Sequence, residues 1–227
     1  MLEVPIYTPV VEDYLKTIWK LQQEEDAPAS TSRIAEQLGL TAAAVTAMVK
    51  RLAEQQLVTH EPYYGVRLTG AGEMAALRII RRHRVIELFL QEVLGYSWDG
   101  VHDEAERLEH AASDELIERL AKLLGDPARD PHGASIPSAE GEIDRAEHPL
   151  LADVPLDRPV RVLEVTTGDA DHLRYLGSLD LYPGAGVEVT ARAPFDGPVS
   201  IRVNGKSCVI DHAMAARIRV VDEVTGT

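Results

Sequence analysis

The sequence predicts a mainly helical protein that ends in a β domain, with a winged helix-turn-helix at its start. Before Gly125 the chain reads as helices interrupted by one hairpin. Between Gly125 and Val160 lie Pro127, Pro131, Pro137, Pro149, Pro155 and Pro159, a spacing through which no helix runs. Beyond them come short alternating strands with turn signals at Gly184-Ala185-Gly186, Asp196-Gly197 and Asn204-Gly205.

The first helix is expected over Glu12 to Gln22, where Tyr14, Leu15, Ile18, Trp19 and Leu21 fall at helical spacing. A second runs from Ser32 to Leu38 and stops at Gly39, and Thr41 caps a third that reaches about Gln55. On that third helix Val45, Met48, Val49 and Leu52 form the buried stripe, and Ala43, Thr46, Ala47 and Lys50, with Arg51 beside them, form the opposite one. Small side chains and a threonine methyl allow close approach to a major groove, while Lys50 and Arg51 reach phosphates or guanine edges. Leu57 to Glu61, a turn over Pro62 to Gly65, and Val66 to Thr69 then read as a wing. The expected DNA-contacting residues are Arg33, Thr41, Ala43, Thr46, Ala47, Lys50, Arg51, Tyr64 and Arg67. A protein-contact hairpin of the same shape is the competing reading.

Composition sets limits. The 227 residues carry 23 basic and 37 acidic side chains, a net charge of -14, so any DNA contact rests on a local basic face. From Arg33 to Arg67 there are four basic residues against three acidic ones. No run of apolar residues is long enough to span a membrane and no leader is evident, which makes the cytoplasm the expected address. The single cysteine, Cys208, excludes a multi-cysteine zinc site, so a metal would depend on His, Asp and Glu.

Such residues cluster after the wing. A long helix from about Thr69 to Leu94 places His83 and Glu87 four apart on one face. Another contains His102, Glu106, Glu109 and His110, which at helical spacing share one arc of about 100°. Imidazole and carboxylate donors on one arc suit Mn(II) or Fe(II) if other helices complete the shell; a solvated acidic face is the alternative. The protease pattern H-E-x-x-H, the P-loop, G-x-S-x-G and the dinucleotide fingerprint are all absent. A metal-dependent hydrolase built on the Glu/His cluster and a metal-indifferent interaction module remain as rivals.

With these residues in hand, the chain resembles the diphtheria-toxin-repressor family, including its manganese-transport-regulator branch. The resemblance covers nearly the whole chain. It is carried by V-E-D-Y-L-K-T-I from Val11 to Ile18, the winged helix, R-R-H-R-V-I-E-L-F-L from Arg81 to Leu90, V-H-D-E-A-E-R-L-E-H from Val101 to His110, and D-P-H-G-A-S-I-P from Asp130 to Pro137. It implies a homodimeric, metal-dependent transcriptional regulator, most simply a repressor of metal-homeostasis genes. It also implies a winged-helix domain over residues 1–73, a helical dimerisation and metal domain over 74–142, a linker over 143–158 and a Src-homology-3-like small β-barrel over 159–227. By alignment, Asp13, Glu106, Glu109 and His110 would form a primary metal site. His83, Glu87 and His102 would form an ancillary one, with Asp169 and His172 as the contribution of the barrel.

The departures bear on the ion. Iron-type members resemble this chain in length and in His102, but carry Met and Cys where it has Asp13 and Glu106. Manganese-type members share Asp13 and Glu106, but commonly have Glu where Lys16 stands and lack the barrel. Hard carboxylates in place of sulfur favour Mn(II), with Fe(II) second. The implied mechanism is that metal joins Asp13 to Glu106, Glu109 and His110, fixing the two reading heads of a dimer at the spacing of a palindromic operator.

Overall fold

The structure is a computed structural model that describes residues 7–61 and 64–223. Pro62 and Tyr63, at the tip of the expected wing turn, lie outside the described residues. The chain divides into two compact units, one of residues 1–83, 109–112 and 137–142, the other of 84–108, 113–136 and 143–227.

The first unit opens with α1 (Pro9–Glu25), which starts a turn earlier than the apolar periodicity indicates. Thr8 caps it and Pro9 occupies its first turn, where a missing N–H costs nothing. Ser30 caps α2 (Thr31–Leu38), and Thr41 caps α3 (Ala42–Glu54) by accepting from the Ala44 N–H at 3.3 Å. Strands β1 (Val58–Glu61) and β2 (Gly65–Leu68) pair antiparallel, with Thr59 opposite Arg67, and form the wing. Buried in this unit are Leu15, Ile18 and Leu21 of α1, Ile34 of α2, Val45, Val49 and Leu52 of α3, and Val66 of the wing, with α1 packed on α2 and β2, and α3 on α2 and β1. Helix α4 (Gly70–Glu92) gives its residues through His83 to this unit.

The second unit takes the rest of α4, α5 (Val101–Leu108), α6 (Asp114–Leu123) and the β domain. One expectation is corrected here. Helix α5 ends at Leu108, so Glu109 and His110 fall in the turn before Ser113, which caps α6 through the Leu116 N–H, and the four-residue helical arc does not exist. The buried carboxylate of Glu109 is held by an ion pair to Lys16, a constraint that periodicity cannot register.

The β domain is a five-stranded antiparallel sheet in the order β6-β5-β4-β3-β7. Its strands are β3 (Pro159–Val165), β4 (Gly186–Arg192), β5 (Val199–Val203), β6 (Lys206–Ile210) and β7 (Ile218–Asp222). Helix α7 (Ala170–Ser178) follows β3, and the single turn α8 (His212–Ala215) precedes β7. The β5–β6 hairpin turns at Asn204 and Gly205, both at positive φ (47° and 86°), as an Asn-Gly turn requires. Among the described residues no ladder joins β6 to β7, so the expected barrel takes the form of an open sheet. The outer side of β7 is instead met by the preceding segment, through the Leu150–Arg219 bridge and the Val220 N–H to Pro149 carbonyl bond. Trp98 belongs to the core of this domain, with Leu173, Leu176, Val189 and Ile201.

Candidate metal centres and DNA-reading face

Helix α3 divides as its sequence implies. Val45, Val49 and Leu52 are buried, Met48 is half-buried, and Thr41, Ala43, Thr46, Ala47, Lys50 and Arg51 are exposed. Tyr64 and Arg67 are exposed on the wing. Arg33, on α2, is half-buried and pairs with Glu36 at 3.1 Å. Thr46 donates its hydroxyl to the Ala42 carbonyl at 2.8 Å, which leaves its methyl as the group presented outward.

A first cluster lies within the first unit. Ligand atoms of Asp13, Glu109 and His110 all lie within 4.8 Å of one another. His110 Nε2 stands 3.0 Å from Asp13 Oδ1 and 3.6 Å from Glu109 Oε1. Its other nitrogen, Nδ1, is 2.7 Å from Glu12 Oε2, and Glu12 Oε1 accepts from Arg82 at 3.2 Å. Glu109 is wholly buried, held by Lys16 Nζ at 2.8 Å from both oxygens and by His83 Nδ1 at 2.5 Å. His83 is therefore a partner of Glu109. Two carboxylates and an unsubstituted imidazole nitrogen facing them match the donor set of a divalent cation that prefers oxygen.

A second cluster lies within the second unit, where ligand atoms of Glu87, Asp130 and His132, all buried, come within 4.8 Å of one another. Asp130 Oδ1 accepts from the backbone N–H groups of His132 and Ala134 at 2.8 and 2.9 Å, which folds the 130–134 segment around it. His132 Nε2 donates to the Trp98 carbonyl at 2.8 Å, leaving Nδ1 toward Glu87 Oε2 at 3.8 Å. Burial, then the adjacent Glu87 carboxylate, push the Asp130 pKa up to about 6 against the opposing pull of Arg84 and His132. Burial works against the His132 imidazolium, but the nearby Glu87 carboxylate and the charge of Asp130 outweigh it, and its pKa is raised. Two carboxylates this close and this dry need positive charge, which Arg84 supplies in part from 3.5 Å, and the donors present also fit a divalent cation.

His102 joins Glu87 from the opposite side, Nδ1 to Oε1 at 3.0 Å, with its Nε2 at 3.7 Å from Glu106 Oε1. Asp169 and His172 belong to neither cluster. Asp169 caps α7 by accepting from the His172 N–H at 2.9 Å, and both side chains are about half exposed. Asp130 and His132 were not singled out as donors by sequence reasoning. Their signal was the Asp-Pro-His spacing in a proline-rich loop, which reads as a turn until its distance from Glu87 is known.

An exposed small-residue helix beside a wing, in a chain whose described residues bring histidines and carboxylates together in clusters, defines a DNA-binding regulator of the metal-responsive class. Three family models match in sequence order: the iron dependent repressor N-terminal DNA binding domain over residues 7–66, the iron dependent repressor metal binding and dimerisation domain over 69–138, and the FeoA domain over 150–222. The chain is 32% identical over 219 residues to the diphtheria toxin repressor of Corynebacterium diphtheriae, covering 92% of this chain and 95% of that one. It is 32% identical over 222 residues to the iron-dependent repressor IdeR of Mycobacterium tuberculosis, with the same coverage. A solved manganese-dependent transcriptional repressor in complex with manganese superposes with a TM-score of 0.88 at 38% identity, over 94% of this chain and 100% of that one. The chain belongs to the diphtheria-toxin-repressor family, and it is a metal-dependent DNA-binding transcriptional repressor. That family consists of regulators and not enzymes, which sets aside the hydrolase reading, and the metal-indifferent module with it.

Proposed function

We propose that Mn(II) is the ion this repressor answers to, with Fe(II) second, and that the loaded form is a homodimer on a palindromic operator. One observation carries the reading: Asp13, on the first helix of the winged-helix region, meets Glu109 and His110 from the turn after α5. A divalent ion held there supplies the positive charge that the carboxylates of Asp13 and Glu109 share and a fixed geometry for their donors. Asp13 would thereby order α1, and α1 packs on α2, which packs on α3, so the groups that hold the ion would also aim the reading helix.

The proposed primary ligands are Asp13, Glu106, Glu109 and His110. For the ancillary centre we keep Glu87, His83 and His102 and add Asp130 and His132; Asp169 is better accounted for as a helix cap, and His172 by its contact with it. All of these donors are hard oxygens or imidazoles, and Cys208, the single cysteine, stands far along the chain in β6, which favours Mn(II) over softer ions. The assignment of residues 1–73 to DNA binding, 74–142 to dimerisation and metal, 143–158 to a linker and 159–227 to the β domain belongs to the same reading. So does action in the cytoplasm; no described helix is long and apolar enough to cross a membrane.

The test is selection of fragments from a genomic library by chelator-stripped protein with Mn(II), with Fe(II) under reducing conditions, or with chelator alone. Enrichment of a few palindromic fragments only with metal supports the reading and ranks the two ions. Equal enrichment in chelator overturns it.

A further inference from the structure

We propose that Glu12 is a positioning residue for the centre at Asp13, Glu109 and His110: its carboxylate accepts a hydrogen bond from the Nδ1–H of His110, leaving the Nε2 lone pair for an ion, and Arg82 holds the carboxylate in place. The proposal rests on the metal reading above and adds to it a residue that none of the proposed ligand sets contains.

The geometry is specific. His110 has two ring nitrogens and a carboxylate on each side, Glu12 Oε2 at 2.7 Å from Nδ1 and Asp13 Oδ1 at 3.0 Å from Nε2. A neutral imidazole carries one proton, so one carboxylate receives a hydrogen bond and the other faces a lone pair. Glu12 is the shorter contact and the drier one, its side chain 12% exposed against 41% for Asp13. Its second oxygen is held by Arg82, which is itself largely buried. Carboxylate, histidine and metal in series is a recurrent arrangement, because the outer carboxylate fixes the tautomer and raises the basicity of the ligating nitrogen.

Glu12 has a plainer role to set against this one. It lies in the first turn of α1, where an acidic side chain complements the helix dipole, and it forms an ion pair with Arg82. A residue of that kind affects the stability of the fold in the absence of metal and leaves ion affinity alone. The two roles predict different measurements.

The experiment uses the full-length chain as wild type, Glu12→Ala and Glu12→Gln. Free Mn(II) is followed by electron paramagnetic resonance during titration, and 15N-labelled histidine is observed by NMR in the metal-free protein at alkaline pH. Glu12→Ala is expected to bind Mn(II) about 10- to 100-fold more weakly. Glu12→Gln, whose amide oxygen still accepts the Nδ1 proton, retains most of the affinity. The wild-type spectrum shows His110 protonated at Nδ1, and in Glu12→Ala the proton moves to Nε2, against Asp13. Unchanged affinity in Glu12→Ala, or an Nδ1 proton that survives it, overturns the proposal; so does an isosteric Glu12→Gln that binds as poorly as Ala with its tautomer intact. A wild-type chain that takes up no Mn(II) overturns the metal reading itself, an outcome visible before any variant is compared.

Discussion

Lys16 Nζ lies 2.8 Å from both carboxylate oxygens of Glu109, with the lysine 5% exposed and the glutamate wholly buried. In the absence of metal, the fixed positive charge that compensates this carboxylate comes from the same helix that carries Asp13. Breaking a buried pair from one side strands the other charge, which costs about 3–5 kcal/mol. Lys16→Met is therefore expected to lower metal-free stability by that order in urea denaturation. Saturating Mn(II) should restore part of it, because the ion compensates the same carboxylate. A variant as stable as wild type without metal would show that the Lys16–Glu109 pair does not hold the metal-free fold together.

Asp13 makes a complementary prediction. Its side chain is partly exposed and its removal leaves no buried charge behind, so Asp13→Ala should fold and dimerise as wild type does while losing metal-dependent operator binding. Mobility-shift titration with and without Mn(II) measures this, and an unchanged metal response would remove Asp13 from the ligand set.

The second cluster responds to pH. The carboxyl of Asp130 ionises near pH 6 in the folded chain and near the usual 3.8 when unfolded, so between these values the folded state binds the proton more tightly. Stability contributed by this group is thus present in acid and lost as pH rises through 6, by on the order of 2–3 kcal/mol. The raised pKa of His132 acts in the same direction. Metal-free Asp130→Asn, which mimics the protonated acid, should match wild type below pH 4 and exceed it at neutral pH in thermal melts. In the wild type, ion uptake should release protons and strengthen over the same window.

The face of α3 and the wing divide into contacts of two kinds. If Lys50 and Arg67 meet phosphate, Lys50→Ala and Arg67→Ala each weaken binding to all sequences alike and reduce the slope of log affinity against log salt by about one. Selective loss at a single base pair would mark that residue as a base reader instead. Fluorescence anisotropy over a salt series on two operators separates the two.

Gly133 lets the Asp130 loop pack directly against β3. At φ 90° a Cβ would stand 1.9 Å from the Leu163 carbonyl oxygen, and the adjacent His132 carbonyl accepts from the Val165 N–H of β3 at 2.8 Å. Gly133→Ala is expected to push this segment off the strand and destabilise the chain by about 2 kcal/mol or more, seen as a fall in melting temperature. A melting temperature equal to that of wild type would mean the loop has room to move.

The sequence by itself determined the elements that depend on neighbours along the chain. The caps at Thr41, the exposed stripe of Ala43, Thr46, Ala47 and Lys50, and the Asn204-Gly205 turn follow from helical period and local backbone preference, which act over a few residues. The grouping of Asp13 with Glu109 and His110 was legible only through family resemblance, since the helical arc used to join Glu109 to Glu106 ends at Leu108. Tertiary structure alone decided that Glu87 meets Asp130 and His132, that His83 turns to Glu109, and that Glu12 takes Nδ1 of His110. The physical reason is common to all three. A buried charge selects its partner by distance and desolvation in the folded chain, and residues separated by tens of positions in sequence leave no periodic trace of that choice.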